Sequence, residues 1–439
     1  MLHSVDDANH PGRMNSPGGR PAARFLLAII DAGGTVPPAL GLGAELIRRG
    51  HQVRILADPT IEASARAAGC AFSPWHDAPH FNSRDEQTAI IAALESGNPY
   101  RAFRAAKRHA GKAMTSRFAS DVVSTVRQSP VDAILADGLP GILIGAQATR
   151  RPTAALVAQT YVRPTPGLPL LGTGWSPSQS FLGKARDNFA PRVASWLLTP
   201  TLPRLNAVVE RYELLPLDNV FELFDRCTRV LVMTSPSFDF SSARLPENVR
   251  YVGPQLDDPD WAADAKWQRK SSEPLVLVAT SSIYQDQIDL LGRISTALRQ
   301  LPVRAVVTTG RAVDPAEIEA GPNIEVLQAA PHSSVLREAS LVVTHAGHGT
   351  VLKSLAAGVP LVCIPMGRDQ KDNTVRVLRL GAGVRLSKES TPAQITAAVA
   401  ETLERPQYRA AARRFADVLA WEAAHRPRAA DEAESLVRS

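Results

Sequence analysis

Apolar runs of strand length alternate with segments of helical periodicity along most of the chain. Residues 25–30 form an apolar run, residues 31–38 are rich in glycine and proline, and apolar positions at helical spacing follow over residues 39–49. Gly50 ends the predicted helix, and a second apolar run begins at Val53. This order predicts a strand, a loop, a helix and a strand, which is the repeating unit of parallel sheets.

The alternation restarts in the second half of the chain, which predicts two similar units. Predicted strands lie at residues 133–136, 153–157 and 230–233 in the first half, and at 274–279, 304–307, 324–327, 341–344 and 359–364 in the second. The stretch between the halves is rich in Pro, Gly and Asp, which is typical of a linker. The predicted fold class is therefore α/β, with two doubly wound, Rossmann-like domains facing each other across a cleft.

These patterns also predict where the domains begin and end. We expect a disordered tail at 1–23, a first domain at 24–245, a linker at 246–273, a second domain at 274–420 and a C-terminal helix packing across the junction at 421–439. The tail lacks an apolar core, so we interpret it as neither a signal peptide nor a packed element. Residues 163–203, dense in Pro, Gly, Ser and aromatic residues, are predicted to form a long loop at the wall of a substrate pocket.

Composition excludes several classes of protein. The net charge of +6 is spread along the chain and only 5% of residues are aromatic, which argues against a nucleic-acid surface. The three cysteines are far apart and form no CxxC pair, so we expect neither a disulfide framework nor a structural zinc site. No apolar stretch reaches the roughly 18 residues that a membrane span needs, and we expect a cytoplasmic protein.

The most informative segment is residues 341–370, LVVTHAGHGTVLKSLAAGVPLVCIPMGRDQ. A buried strand ends at His345, a loop of small residues follows, and a helix is predicted to start at Thr350. Backbone N–H groups at such a helix start, with glycines that permit close approach, form a cradle for a diphosphate. His345 could donate a hydrogen bond or a positive charge to a phosphate oxygen, and Thr350 a further hydrogen bond. Asp369 and Gln370 lie beside the same crevice and could hold sugar hydroxyls.

This segment resembles the donor-binding motif of family 1 glycosyltransferases, the HxGxxS/T…GVP…DQ pattern of plant secondary-product enzymes and bacterial antibiotic-modifying enzymes. The resemblance continues in GGTVPPALGLGAELIRRGHQVRIL at 33–56, LVLVATSSIYQDQ at 275–287, TTGR at 308–311 and APH at 330–332. It implies a GT-B fold in which the second domain holds the nucleotide sugar and the first holds the acceptor. It also implies one displacement that inverts the anomeric centre and needs no metal ion or other cofactor.

Carried over position by position, the resemblance implies a set of donor-binding residues. These are Ser281, Ser282, Arg311, His332, His345, Gly347, His348, Gly349, Thr350, Asp369 and Gln370. Two positions depart from the family pattern. Lys353 stands where many relatives have a Glu that accepts the ribose hydroxyls, so the choice between UDP and TDP stays open. Ala329 stands where plant enzymes have a Trp that stacks on the base, and Arg311 could stack instead.

A larger departure concerns the general base. Relatives usually place a His in the first strand-to-helix loop, and Thr35 stands there; a neutral Thr cannot deprotonate an acceptor hydroxyl near pH 7. Asp31 and Asp137 are the candidate catalytic residues, and His76 and His80 are further possibilities. Two other accounts stay open: an acceptor acidic enough to need little help, or a protein that binds a nucleotide sugar without transferring it.

The expected activity is inverting transfer of a hexose from a UDP- or TDP-sugar to a hydroxyl, or a carbon, of an apolar natural product. The predicted acceptor contacts are Thr35, His76, Tyr161, Trp175 and Phe181. We expect a monomer or a homodimer. The alternatives are a catalytically silent relative that acts as a nucleotide-sugar-binding or activating partner, and a nucleotide-sugar epimerase.

Overall fold

Two parallel sheets carry the fold in the computed structural model, which describes residues 22–83, 85–89, 114–240, 245–258, 262, 267–268, 272–280, 287–310 and 313–438. The strands of the first sheet are β1 (Arg24–Ala28), β2 (Gln52–Ala57), β3 (Ala71–Pro74), β4 (Ala133–Asp137), β5 (Thr153–Val157), β6 (Arg229–Val232) and β7 (Val249–Tyr251). Those of the second sheet are β8 (Leu275–Ala279), β9 (Arg304–Thr308), β10 (Ile324–Leu327), β11 (Ala339–Thr344), β12 (Leu361–Cys363) and β13 (Gly383–Arg385).

The order of the strands places a crevice at the same point of each sheet. The first sheet has the order β3-β2-β1-β4-β5-β6-β7 and the second has the order β10-β9-β8-β11-β12-β13. The order therefore reverses between β1 and β4 and between β8 and β11, and both of these pairs are parallel. Ligands bind outside the carboxyl ends of the strands at such a reversal. The predicted fold class of two doubly wound α/β units is confirmed.

Helices flank both sheets. They are α1 (Val36–Arg48), α2 (Glu62–Ala67), α3 (Met114–Gln128), α4 (Pro140–Ala148), α5 (Phe181–Leu198), α6 (Leu202–Arg211), α7 (Glu222–Asp225), α8 (Ile288–Leu298), α9 (His332–Glu338), α10 (His348–Ala356), α11 (Gln370–Leu380), α12 (Pro392–Glu404), α13 (Pro406–His425) and α14 (Ala429–Ser435). Within the described part of the chain, none of them is long and apolar enough to cross a membrane.

Each sheet separates two apolar cores, because side chains alternate between its faces. Leu26 of β1 packs into one core of the first sheet, and its neighbour Leu27 packs into the other. Both leucines are fully buried, and burial of such a side chain contributes about 1.5–3 kcal/mol relative to its exposed state. Burial on both faces explains why these strands are continuous apolar runs in the sequence.

The end of the chain forms two helices, where the sequence pattern indicated one closing helical segment. The chain is extended at Arg426 and Arg428, on either side of Pro427, because proline cannot continue the hydrogen-bond ladder of a helix. Helix α13 packs on a core of the second sheet through residues such as Phe415. Helix α14 returns to a core of the first sheet through residues such as Ala433. The end of the chain therefore connects the two halves.

The prediction of a loop over residues 163–203 is wrong for its second part, which forms α5. The Ser180 side chain begins this helix by accepting a hydrogen bond from the Gly183 N–H at 3.2 Å. Gly183 and Pro191 lie inside α5, and both residue types lower helical propensity. Their presence made this sequence resemble a loop, although the residues around them favour a helix.

Helices α3 and α4 pack so closely that a methyl group should not fit at Gly145. A Cβ atom there would lie 2.8 Å from both the Cα and the carbonyl oxygen of Ala119. We expect Gly145→Ala to lower the free energy of unfolding by about 1–3 kcal/mol, because the backbones must move apart. Urea unfolding followed by circular dichroism measures the change.

The matched control is Gly292→Ala in α8, where an added Cβ meets nothing within 4 Å. We expect this variant to be more stable by about 0.5–1 kcal/mol, because alanine restricts the unfolded chain and favours a helix. Equal effects of the two substitutions would contradict the close approach of α3 and α4.

Candidate active site

The loop after β11 holds His345 in a fixed position at the edge of the second sheet. A Cβ atom at Gly347 would lie 2.5 Å from His345 Nε2, so the imidazole ring occupies space that only glycine leaves open. Ala346 has φ 65°, in the left-handed region, and its carbonyl accepts a hydrogen bond from Asn373 Nδ2 at 3.0 Å. The ring is therefore packed against the start of α10.

Helix α10 begins at His348, two residues before the predicted start at Thr350. Gly347 precedes it in an extended conformation, and no described side chain caps the first backbone N–H groups. A Cβ atom at Gly349 would meet nothing within 4 Å, so this turn is open to a ligand. The start of α10 can therefore donate hydrogen bonds to an anion, with the helix dipole in support.

Burial keeps the imidazoles of His345 and His332 neutral at pH 7. It lowers the pKa of His345 to about 4, although a hydrogen bond with the backbone of Ala279 opposes the shift. Burial and the nearby Lys353 ammonium likewise lower the pKa of His332 to about 4. His332 Nε2 lies 3.2 Å from Thr308 Oγ1. The neutral ring of His345 carries one N–H, so it can donate to a phosphate only when that N–H is turned away from the Ala279 carbonyl. A positive charge on the ring would require protonation near pH 4.

Asn373 connects the phosphate loop with the start of α11, and sequence reasoning missed it. Its Nδ2 donates to Asp369 Oδ2 at 2.8 Å, and its Oδ1 lies 3.3 Å from His348 Nδ1. Burial lowers the pKa of His348, and its Nε2 has no partner among the described residues. The spacing of four residues between Asp369 and Asn373, which puts both on one helix face, was the available signal.

Gln370 is buried, and its side chain shapes the loop before α11. Its Oε1 accepts hydrogen bonds from the N–H groups of Met366 and Gly367 at 2.7 and 3.0 Å. The side chain is only 2% exposed. Its predicted contact with the donor sugar stays a prediction, and Asp369 is the more exposed of the two residues.

Three of the predicted first-domain residues, Asp31, Thr35 and Asp137, lie at the carboxyl edge of the first sheet. Asp137 ends β4, and its carboxylate accepts hydrogen bonds from the N–H groups of Gly138 and Ile30. Burial raises the pKa of Asp137 to about 6 despite these two donors. Thr35 Oγ1 is buried and has no partner in the part of the chain that the structure describes.

Asp31 is more fully engaged than Asp137. One of its oxygens accepts from the Gly33 N–H at 3.3 Å, and the other accepts from the Thr60 hydroxyl at 2.7 Å. Its own N–H donates to Asp58 Oδ2 at 2.8 Å, and burial raises the pKa of Asp58. These contacts hold the loop between β1 and α1.

The two histidines of residues 73–80, His76 and His80, make different contacts. The His76 side chain is 88% exposed, and its ring lies 3.0 Å from the Asp77 carboxylate. Both residues also donate backbone N–H groups to Asp121, so this carboxylate shapes their loop. Together His76, Asp77 and Asp121 form the one group within the described residues with metal-ligand atoms this close, within 4.8 Å of one another. His80 Nδ1 lies 2.8 Å from the Ala78 carbonyl oxygen.

The predicted aromatic acceptor contacts lie in different environments. The N–H of Tyr161 donates to Asp239 Oδ2 at 2.8 Å, and burial raises the pKa of its phenol. Trp175 is 47% exposed beneath the Arg186 guanidinium, and Phe181 is 85% exposed. A cavity of about 520 Å³ in the first half of the chain is lined by other residues, which include Pro164, Pro166, Pro191, Phe221 and Leu245.

Residues 172–174 of the first half contact α11 next to the donor-side loop. Asp372 accepts hydrogen bonds from the N–H groups of Gly172 and Gly174 at 2.5 and 2.9 Å, and burial raises its pKa. Gly174 has φ 66°, and a Cβ atom there would lie 2.7 Å from the Cβ of Lys371. The structure therefore brings the acceptor-side segment within hydrogen-bond distance of the helix that follows Asp369.

Three predicted donor residues, Ser281, Ser282 and Arg311, lie outside the described residues. Lys353 forms an ion pair with Asp258, a residue of the predicted linker, at 2.8 Å. Sequence reasoning did not connect these two residues, because 95 positions separate them.

Comparison with known proteins supports the resemblance that the motifs indicate. Residues 297–438 match the family described as erythromycin biosynthesis protein CIII-like, C-terminal domain. The chain is 29% identical to 4'-demethylrebeccamycin synthase of Lentzea aerocolonigenes over 413 residues. This alignment covers 90% of this chain and 95% of that protein. It is 26% identical to oleandomycin glycosyltransferase of Streptomyces antibioticus over 431 residues. This alignment covers 94% of this chain and 90% of that protein.

Solved structures agree in fold. The glycotransferase of kitacinnamycin superimposes with a TM-score of 0.71 at 24% identity, covering 95% of this chain and 99% of that chain. The glycosyltransferase VinC in complex with DTDP superimposes with a TM-score of 0.64 at 19% identity, covering 94% and 98%. The fold is therefore GT-B, and the resemblance to natural-product glycosyltransferases is confirmed.

Neutral, buried imidazoles should make stability fall in acid. The folded-state pKa of His345, about 4, lies below the value of about 6.5 expected in the unfolded chain. The unfolded state therefore binds more protons between these values, and stability is lost as the pH falls from about 6.5 towards 4. We expect His345→Asn to lose less unfolding free energy than the wild type between pH 7 and pH 5, measured by urea unfolding.

The control for this prediction is His425→Asn, which changes an exposed residue of α13. We expect its pH dependence to match that of the wild type. A His345→Asn variant with the slope of the wild type would show that His345 is not held neutral by burial.

Proposed function

We propose that this chain, a glycosyltransferase by its relatives and its GT-B fold, transfers a hexose from a TDP- or UDP-sugar to an apolar natural product with inversion. The observation that carries this proposal is the donor-side edge of the second sheet. There the uncapped start of α10 and the neutral ring of His345 meet at one open turn. This arrangement suits the diphosphate of a nucleotide sugar.

The relatives support the classes of donor and acceptor. Two of them are named for rebeccamycin and oleandomycin, which supports a natural product as the acceptor. The VinC structure contains DTDP, which supports a thymidine nucleotide as the donor. The acceptor atom is a hydroxyl oxygen or a carbon. No observation favours the silent partner or the epimerase that the sequence left open.

The donor side would stabilise the leaving group. As the bond between the anomeric carbon and the diphosphate breaks, the electron pair stays with the diphosphate, which becomes more negative. The N–H groups of α10 are already in place for this charge, and His345 would add the hydrogen bond of its one ring N–H. These donors would stabilise the transition state more than the bound substrate. We propose that these donors suffice without a metal ion or another cofactor.

The acceptor side would supply the general base. We propose that Asp137 takes the proton from the acceptor hydroxyl. The oxygen of that hydroxyl attacks the anomeric carbon at the same time, on the face opposite the diphosphate. The pKa of Asp137, about 6, leaves the carboxylate ionised at pH 7 and close to the working pH, which favours general base catalysis. The Thr35 hydroxyl, buried and without a described partner, is available to orient the acceptor.

Removal of the His345 ring should abolish most turnover. We expect His345→Ala to reduce kcat by about 10²–10³-fold, as loss of a transition-state hydrogen bond does elsewhere. The assay follows release of TDP or UDP with a panel of natural-product acceptors, and circular dichroism checks the fold. His425→Ala is the control, and we expect it to keep the wild-type kcat. A His345→Ala variant with unchanged kcat would contradict the donor site.

Removal of the Asp137 carboxylate should show whether Asp137 is the general base. We expect kcat/KM of the wild type to fall as the pH decreases through about 6, because Asp137 becomes protonated. Asp137→Asn should reduce kcat by about 10²–10⁴-fold and lose this pH dependence. The matched variant is Asp31→Asn at the same edge of the sheet. A larger loss in Asp31→Asn than in Asp137→Asn would assign the base to Asp31 instead.

A further inference from the structure

The predicted linker places the carboxylate of Asp258 against helix α10 in the second half of the molecule. Asp258 Oδ1 lies 2.8 Å from Lys353 Nζ in α10, and Asp258 Oδ2 accepts a hydrogen bond from the Ser333 N–H at 2.9 Å. The two side chains are 7% and 12% exposed, so the pair is largely removed from water. Asp258 therefore bridges the segments that carry Ser333 and Lys353.

Both of these segments belong to the proposed nucleotide site. Ser333 directly follows residues 330–332, whose backbone would read the base according to the resemblance to family 1 glycosyltransferases. Lys353 lies three residues after Thr350, so both project from one side of α10, whose first turn is expected to bind the diphosphate. A ribose connects the base to the diphosphate. The Asp258–Lys353 pair thus lies between the two segments, where the sugar of the nucleotide would be.

The pair has hydrogen-bonding capacity left for one hydroxyl group. Burial opposes ionisation of Asp258, but the Lys353 ammonium and the Ser333 N–H outweigh it and hold the pKa of this carboxyl below its usual range. The two carboxylate oxygens together have four lone pairs, and the Lys353 ammonium, the Ser333 N–H and the Ser333 hydroxyl occupy three of them. One lone pair is left, and the ammonium has three donors. A hydroxyl can therefore donate to Asp258 and accept from Lys353 at the same time.

We propose that Asp258, held by Lys353, binds the 3'-hydroxyl of the donor nucleotide's ribose. This inference rests on the proposed function. A vicinal pair of hydroxyls would need two open positions, whereas the small exposed part of Asp258 suits a single contact. The 3'-hydroxyl is the one that UDP and TDP share. The carboxylate missing from position 353 is thus supplied by the linker, and the site does not require a 2'-hydroxyl.

The test combines a change in the nucleotide with a change in the protein. Calorimetry measures the Kd of TDP and of its 3'-deoxy analogue for the full-length wild type and for Asp258→Asn. We expect loss of the 3'-hydroxyl to weaken binding to the wild type by about 10–100-fold, as for a hydrogen bond to a charged group. We expect Asp258→Asn to bind TDP more weakly and to discriminate less than about threefold between the two nucleotides.

Two further variants separate binding from folding. Asp257→Asn changes the exposed neighbour in the same linker, and we expect it to discriminate as the wild type does. Asp258→Asn combined with Lys353→Gln leaves no unpaired charge, so it addresses the case in which Asp258→Asn alone fails to fold. We expect the double variant to lose the discrimination as well.

The outcomes distinguish this inference from the proposed function. One outcome is that the wild type and Asp258→Asn both bind TDP and lose the same factor in affinity when the 3'-hydroxyl is removed. In that case Asp258 does not touch the hydroxyl, and the inference is wrong. If the wild type discriminates but the double variant also does, the inference is wrong in the same way. If neither TDP nor UDP binds the wild type, the proposed function itself fails.

Discussion

A buried ion pair between Asp239 and Arg376 joins the segment that follows β6 to helix α11, and so links the first half of the molecule to the second. The Arg376 Nη2 and Asp239 Oδ1 atoms are 2.7 Å apart, and the side chains are 7% and 4% exposed. The same carboxylate accepts hydrogen bonds from the Tyr161 N–H at 2.8 Å and the Tyr251 hydroxyl at 3.0 Å. The guanidinium also lies over the Phe240 ring at 4.0 Å. Loss of one partner of such a pair costs about 3–5 kcal/mol, because it leaves a buried charge unpaired.

The ion pair gives α11 a central place in the architecture. Asp369 lies at the start of this helix, Asp372 in its first turn binds the backbone of residues 172–174, and Arg376 one turn later holds Asp239. One helix therefore connects the proposed donor-sugar contact with the acceptor-side segment and with the first sheet. Transfer requires reacting atoms about 3–3.5 Å apart, so a rigid connection between the two halves bears directly on the rate.

Sequence reasoning succeeded where the signal is local. The strands around the switch points are apolar on both faces, so continuous apolar runs marked them, and the loop at His345 follows from spacing within a few residues. Contacts between distant positions were not predictable. Lys353 was visible as a departure from the family pattern, but its partner lies 95 residues away and Arg376 lies 137 residues from Asp239. Such pairs depend on how the sheets pack, which one sequence does not encode as a pattern.

Helix α5 was missed for a different reason. Its Gly183 and Pro191 lower the helical propensity of a segment that otherwise favours a helix. The helix leaves large apolar side chains such as Phe189 and Trp196 more than half exposed, so the alternation of buried and exposed positions that marks a packed helix is weak. The low local propensity and the weak amphipathic pattern therefore both argued against a helix in this segment.

Burial shapes the chemistry on both sides of the proposed reaction. It disfavours charge, so it lowers the pKa of His345 and raises that of Asp137, and each residue comes closer to neutrality. A neutral imidazole costs less to keep buried than a charged one, and it keeps one N–H that can donate a hydrogen bond. A carboxylate with a pKa of about 6 is a stronger base than an exposed one. As the proposed general base, Asp137 would therefore compensate for the absence of a histidine at Thr35. The low polarity that produces both shifts also strengthens the hydrogen bonds that α10 offers to a diphosphate. The replacement of histidine by Thr35 is thus consistent with transfer, provided that Asp137 remains buried against β1.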